Sequence, residues 1–314
     1  MPHYTNMFDK FLTIAAPLAG ITDEPFRKAI RSCSPDAYMM TEMISCHAIT
    51  ARRQHLKTNT NRNFDVYDER TAAQIFGAEP KLMAEAAKIL EQNGAGWIDI
   101  NMGCPVPKVA QKAGAGANLM RDHKLAGQIV ADVVKAVKIP VSIKTRLGWD
   151  ASNLNSADLV RIAAEAGASI ATIHGRTRAQ GYTGAADWNA IAAIKNKSPI
   201  PIVFNGDIKD AADIEAVKKL GADGTMIGRA MLGRPWLLGE LSNSCHLSLV
   251  TCHDIILQHF DDTMDYYGER AGVPLFRKHA AWYAAGVPNS AGFKTAVNAM
   301  RDAAQMRSAL EEFF

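Results

Sequence analysis

Cys104 stands in the run Ile98-Asp99-Ile100-Asn101-Met102-Gly103-Cys104-Pro105, where a strand-like apolar stretch meets a Gly-Cys-Pro turn. Glycine permits a sharp bend at such a point, and proline ends further strand pairing. The thiol is thereby presented at the rim of a sheet, where barrels and open sheets build their sites. Taken alone, a free cysteine reads as a small, inert, buried group. A thiol with an ordinary pKa near ~8.5 is also mostly protonated at neutral pH and can act as an acid. The other strand ends favour chemistry. Gln74, Asn101, Lys144 with Arg146, His174 with Arg176, and Asn205-Gly206-Asp207 all close strand-like segments. Each has an ordinary reading: Lys144 as a rim residue, His174 as a core histidine with its hydrogen bonds met. As a set in register they describe one polar pocket.

The elements that must position this set alternate from Thr13 to about Arg229. Strands are expected at Thr13–Pro17, Ala37–Met43, Thr71–Phe76, Trp97–Met102, Val141–Arg146, Ile170–His174, Ile202–Asn205 and Gly224–Ile227. Amphipathic helical patterns lie between them at Lys81–Asn93, Lys124–Lys138, Ser156–Ala166 and Ala211–Leu220. Asn93-Gly94, Ala166-Gly167 and Leu220-Gly221 read as helix C-caps. Eight strand–helix units in this order predict an α/β fold of the (β/α)8 TIM-barrel type, with a doubly wound open sheet as the alternative. Two long connections, Ser45–Arg70 and Pro105–Arg121, follow strands and are placed to carry function. After about Leu241 the strand rhythm stops. Cys252–Tyr267, Pro274–Ala285 and Phe293–Phe313 read as helices. The expected division is a catalytic barrel over residues 1–241 and a small all-helical domain over 242–314.

Composition bounds the rest. The 314 residues are 48% hydrophobic and 21% charged, as in an ordinary globular protein. No apolar run approaches the ~20 residues needed to span a bilayer, so no membrane role is expected. The polar start, Met1 to Lys10, has no hydrophobic signal core. Five cysteines in so long a chain do not suggest a disulfide framework, and a cytoplasmic location is expected. The net charge of +3 permits a polyanionic partner without requiring one. Gly114-Ala115-Gly116 is only a fragment of a dinucleotide fingerprint. Cys245-His246, Cys252-His253 and Cys46-His47 lack zinc-finger spacing, so no metal is expected.

Asn205-Gly206-Asp207 and Ile227-Gly228-Arg229-Ala230 place glycines after the seventh and eighth strands, where many barrels bind a phosphate. A phosphorylated cofactor such as FMN fits that position. Five segments then resemble the tRNA-dihydrouridine synthases: Ala16-Pro17-Leu18-Ala19-Gly20-Ile21-Thr22-Asp23, Asp99-Ile100-Asn101-Met102-Gly103-Cys104-Pro105, Ile143-Lys144-Thr145-Arg146-Leu147-Gly148-Trp149, Ile173-His174-Gly175-Arg176-Thr177-Arg178 and Phe204-Asn205-Gly206-Asp207-Ile208. The likeness continues through Met226-Ile227-Gly228-Arg229-Ala230, Gly233-Arg234-Pro235-Trp236 and Arg277-Lys278-His279, and is nearest to the bacterial B-type branch. Leu18, Asn118 and Phe204 depart from the common pattern.

The resemblance implies reduction of the C5–C6 bond of uridine in tRNA by FMN, with NADPH as reductant and Cys104 as the acid that protonates C5. It assigns Pro17, Leu18, Ala19, Gln74, Lys144, His174, Asn205, Asp207, Gly228 and Arg229 to the cofactor. It assigns Asn101, Arg146, Arg176, Arg178 and Lys278 to the substrate. Arg52, Arg53, Lys57, Arg62, Lys108, Lys112, Arg270, Arg277, Lys294 and Arg301 are further candidates to grip tRNA phosphates. Cys104 should then avoid a strongly electropositive niche, because an acidified thiolate donates poorly. Competing readings are an FMN enzyme acting on a free pyrimidine, like dihydroorotate dehydrogenase, and a non-catalytic tRNA-binding protein. A D-loop position near 17 and a monomer are the default expectations.

Overall fold

The computed structural model describes residues 10–55, 68–106, 109, 114–242 and 249–314, with side chains at 52–55 and 249–251 left out. Nine parallel strands run through the chain: β1 (Leu12–Ala15), β2 (Tyr38–Met40), β3 (Ile44–Ser45), β4 (Thr71–Phe76), β5 (Trp97–Asn101), β6 (Val141–Arg146), β7 (Ile170–His174), β8 (Ile202–Asn205) and β9 (Gly224–Ile227). β1 pairs with both β2 and β9, and β2 also pairs with β4, so eight strands close into a ring. The two-residue β3 is an added pairing on the far end of β4. The fold is the expected (β/α)8 barrel followed by C-terminal helices, not an open sheet.

Strand β5 shows why these sequences stay in the barrel. Trp-Ile-Asp-Ile-Asn is buried throughout, because a parallel strand faces packed groups on both sides. Side chains alternate between the faces. Trp97 joins an apolar interior cluster with Leu12, Ile14, Met40, Ala72, Ile170, Val203 and Met226. One layer towards the strand C-termini, the same inward face becomes polar. The floor of the barrel is therefore a hydrophobic plug and its mouth a hydrogen-bonded site.

Local signals set the helices. α4 (His123–Ala136), α6 (Trp188–Lys195) and α7 (Ala211–Lys219) are each preceded by an aspartate, Asp122, Asp187 or Asp210, whose carboxylate accepts a backbone N–H of the first turn at 2.9 Å. α3 (Pro80–Gln92), α5 (Ser156–Glu165) and α7 end before Gly94, Gly167 and Gly221, all with φ between 86° and 98°. That is the left-handed cap the sequence announced.

The chain forms two compact units. The first holds the strands, in residues up to Ala19 and Tyr38–Ile227. The second is assembled from Gly20–Ala37 and Gly228–Phe314. It contains α1 (Glu24–Cys33), α8 (Leu237–Leu241), α9 (Leu249–Tyr267), α10 (Glu269–Tyr283), α11 (Ser290–Ala299) and α12 (Ala303–Phe313). Its core gathers Ile256, Phe260, Val273, Phe276, Tyr283, Val297, Met306 and Leu310. α1 joins the same unit: its Phe26 ring lies 5.5 Å from those of His259 and His279. The expected helix at Phe293–Phe313 is two helices, broken at Met300-Arg301-Asp302, where Asp302 caps the second. Among the described residues no helix is long and apolar enough to cross a membrane.

Candidate active site

The barrel mouth is built where β4 to β8 end. Register places Gln74 opposite Asp99, Asp99 opposite Ser142, Asn101 opposite Lys144, Arg146 opposite His174, and His174 opposite Asn205. Cys104 follows three residues after β5 and is half-buried. Its loop is held from several sides. Asn101 Oδ1 accepts the backbone N–H of Gly103 at 3.2 Å and of Cys104 at 2.9 Å. Arg146 Nε donates to the Gly103 carbonyl at 2.9 Å, and the Ala117 N–H donates to the Cys104 carbonyl at 3.0 Å. Gly116 makes this last approach possible: at φ +57°, a Cβ there would lie 2.9 Å from the Cys104 carbonyl oxygen.

Burial pushes the Cys104 thiol above its ordinary pKa. A backbone hydrogen bond at Val106 and the charges of Arg146 and Lys144 pull it down, and burial prevails. The thiol is thus protonated at neutral pH despite two cations nearby. Lys144 moves the other way, to about 8, because burial and the Arg146 charge both disfavour its ammonium. Its Nζ donates to Asn205 Oδ1 at 3.0 Å, and Asn205 Nδ2 donates to the Met226 carbonyl at 2.8 Å. An ammonium has three hydrogens, so Lys144 keeps donors beyond the one spent on Asn205.

Gln74 and Asn101 meet within the mouth, Asn101 Nδ2 donating to Gln74 Oε1 at 2.8 Å. Gln74 Nε2 donates in turn to the buried Asp99 at 2.7 Å. His174 is buried at the end of β7, with the Tyr182 ring edge-on to it at 6.2 Å. Pro17 and Leu18 are half-buried beyond β1, and Ala19 is exposed. Gly228 and the exposed Arg229 follow β9 and belong to the second unit, as does Lys278, whose ammonium donates to the Gly20 carbonyl.

Two arginines depart from expectation. Arg176 is 2% exposed and pairs with Asp207 Oδ2 at 2.5 Å, while its guanidinium also donates to the carbonyls of Thr183 and Gly184. It is an internal brace for the loops after β7 and β8, out of reach of an RNA phosphate, and Asp207 is its counterion. Arg146 is 4% exposed and gives Nε and Nη1 to the carbonyls of Gly103, Thr177 and Gly181, which leaves only Nη2 for a ligand. Arg178 stacks on Trp149 at 4.5 Å, opposite Arg121 at 4.9 Å. Arg270 and Arg301 are exposed, Lys294 is half-buried, and Arg277 donates to the Met300 carbonyl at 2.5 Å. Lys57, Arg62, Lys108 and Lys112, and the side chains of Arg52 and Arg53, lie outside the described residues. So do Cys245 and His246, and among the described residues no cluster of three or more histidine, cysteine or acidic groups could hold a metal.

Sequence reading missed Asp99, Ser142 and Tyr182. The signal for Asp99 was its place two residues before Asn101, on the same inward face of a buried strand. Tyr182 is 58% exposed and lies over the Arg146 guanidinium at 5.6 Å. Its signal was a lone aromatic in a glycine-flanked loop after a strand.

An eight-stranded barrel with a protonated thiol, an amide pair and a lysine of lowered pKa at its mouth defines an enzyme of the (β/α)8 class. The profile of the family described as "Dihydrouridine synthase (Dus)" matches residues 13–314. The chain belongs to the dihydrouridine synthase family. It is 41% identical over 312 residues to a "Probable tRNA-dihydrouridine synthase" of Rickettsia conorii, covering 96% of this chain and 92% of that protein. It is 38% identical over 309 residues to a "tRNA-dihydrouridine synthase B" of Pseudomonas aeruginosa, with coverage of 96% and 92%. A protein of the same name from Xanthomonas axonopodis pv. citri is 40% identical over 293 residues, covering 91% and 87%.

Proposed function

We propose that this protein reduces the C5–C6 double bond of a uridine in the tRNA D-loop to dihydrouridine, with FMN as cofactor and NADPH as reductant. The observation that carries the reading is the seat of Cys104: a thiol kept protonated by burial, one turn from Asn101 and beside Lys144. The donors fit a flavin. Lys144 carries hydrogens not spent on Asn205, and the buried Arg176 Nη1 has no protein acceptor among the described residues. Lys144, His174 and Asn205 would hold the ring side, with the Pro17–Ala19 backbone beneath it. Gly228 and Arg229 are assigned to the phosphate.

FMN, when bound and reduced, supplies hydride from N5 to C6 of the uracil. The protein does the rest. Cys104 Sγ gives its proton to C5, leaving a thiolate that Lys144 and Arg146 stabilise electrostatically. The uridine must leave its stack to reach the mouth, at a cost of roughly a few kcal/mol. Phosphate contacts from exposed basic residues such as Arg121, Arg270 and Arg301 offset that cost. The protein acts in the cytoplasm as a monomer, and position 17 is the assigned site.

The test is an absorbance spectrum of the purified protein, then NADPH addition, then dihydrouridine analysis of unmodified tRNA. The expected result is a yellow protein that bleaches with NADPH and modifies tRNA but not free uridine or orotate. Activity only on free pyrimidine would replace this reading with a dihydroorotate-type one. A colourless protein that FMN cannot reconstitute would leave tRNA binding alone.

A further inference from the structure

Asp99 is fully buried, one layer below Asn101 and Lys144 on the inward face of β5. A carboxylate there is costly unless its lone pairs are met. Ser142 Oγ donates to Oδ1 at 2.5 Å, and Gln74 Nε2 donates to Oδ2 at 2.7 Å. The contacts continue upwards through Gln74 Oε1, Asn101 Nδ2 and Asn101 Oδ1 to the N–H groups of Gly103 and Cys104. The two termini differ in kind. A carboxylate only accepts, and a backbone N–H only donates. Between them stand two side-chain amides, each with one accepting and one donating end. With an acceptor fixed below and donors fixed above, a single orientation of both amides satisfies every contact.

We propose that Asp99 is a positioning residue: it sets the donor direction of the Gln74–Asn101 amide relay, and so aims Asn101 Oδ1 at the loop that seats Cys104. That this seat serves proton delivery rests on the function proposed above. The relay itself does not. Nothing in it requires Asp99 to touch substrate, and its effect reaches the thiol through three side chains. Ser142 completes the device, because a hydroxyl can either donate or accept and so tolerates either polarity.

This makes the relay reversible on paper, and the reversal is the test. Asn101→Asp keeps the shape and the oxygen facing the loop, but sets an oxygen against Gln74 Oε1. Gln74 can turn to meet it only by pointing Oε1 at Asp99, oxygen to oxygen. Adding Asp99→Asn cures that clash: the new amide donates to the turned Gln74, and its oxygen accepts from Ser142. The pair carries the same net charge as the original protein. A second pair works from the middle. Gln74→Glu faces Asp99 with another acceptor, and Asp99→Asn restores a donor while leaving Asn101 as it was.

The measurement is peptide-resolved hydrogen exchange at Gly103 and Cys104, with the pH profile of Cys104 alkylation, on the purified full chain. Asn101→Asp and Gln74→Glu should each raise exchange at these amides about tenfold or more, as expected for a lost buried hydrogen bond. They should also shift the alkylation profile, with exchange in β8 unchanged. Each double variant should return both readouts to within about threefold of the starting protein, since contacting sites couple. If a single variant fails to fold, recovery of folded protein by its double is the expected result. Unchanged exchange in Asn101→Asp, or doubles no better than their parent singles, would overturn the proposal. No tRNA or flavin enters these readouts, so a protein inactive on tRNA would remove the proposed function and leave the relay standing.

Discussion

Cys104 and Lys144 carry opposite shifts from a shared cause. Burial disfavours the charged form of each, so the thiol holds its proton longer and the ammonium gives its proton up sooner. The thiol donates at neutral pH, and the lysine sets the alkaline limit. Dihydrouridine formation should therefore decline as pH rises through about 8, where Lys144 loses its charge. Lys144→Arg should carry that limb to higher pH at a lower overall rate, because a guanidinium stays protonated. A limb that stays near the same pH in the arginine variant would assign it elsewhere. Cys104→Ala should cost about 10²- to 10⁴-fold in turnover, the usual share of a positioned acid. Flavin absorbance should be retained, and a parallel loss of colour would make the residue structural. Cys104 was legible because Gly-Cys-Pro breaks a strand in plain sight. Arg146 and Arg176 were misread because a basic residue at a strand end looks like a ligand for anions. Their actual acceptors, carbonyls at Gly103, Thr177, Gly181, Thr183 and Gly184, come from loops whose approach no local pattern encodes.

The loops after β7 and β8 are locked together by Arg176 and Asp207. Asp207 Oδ2 accepts from both the guanidinium and the Ala186 N–H, on a backbone turned to φ +58°. Arg176→Gln leaves that carboxylate without its cation and should destabilise the barrel by about 3 kcal/mol, the scale for breaking a buried pair. Urea unfolding would show it as a lower midpoint with an unchanged slope, and an unshifted midpoint would make the pair incidental. Five strands, β4 and β6 to β9, coincide with their sequence expectation to the residue, because apolar runs bounded by turn residues leave little choice. Pro274 misled the reading of α10, which starts five residues earlier at Glu269. A proline inside a helix removes one ladder donor, yet the extra turn buries Val273 and seats Gly272. A Cβ on Gly272 would come within 2.7 Å of Met264 on α9. Packing between helices outweighed the local cost, and packing is what a single sequence shows least.

At the scale of the whole molecule, the second unit is held around two buried histidines. His259 Nδ1 and the Tyr283 hydroxyl lie 2.9 Å apart, and the His259 and His279 rings meet edge to face at 4.7 Å. Burial takes His259 down to about 3 and His279 to about 2, from an ordinary 6.5. Below pH 6.5 the unfolded chain binds protons that the folded unit refuses. Their stabilisation is therefore complete above that pH and is lost as pH falls towards 3. The melting temperature of the helical unit should drop between pH 6.5 and 4, and less so in His279→Leu. A flat profile over that range would sink this account. The C-terminal helices were legible in the sequence, but the recruitment of α1 was not, since Phe26, Ala29 and Cys33 find Phe276, His279 and Ile255 only in three dimensions. That recruitment has a consequence for biosynthesis. The first segment of the second unit leaves the ribosome before residues 38–227, and its partners follow after them. At ordinary elongation rates, α1 waits on the order of 10–40 s for the helices that cover Phe26. Through that interval the nascent chain carries an amphipathic helix with no partner, a natural handle for a chaperone. A C-terminal truncation would make that waiting state permanent.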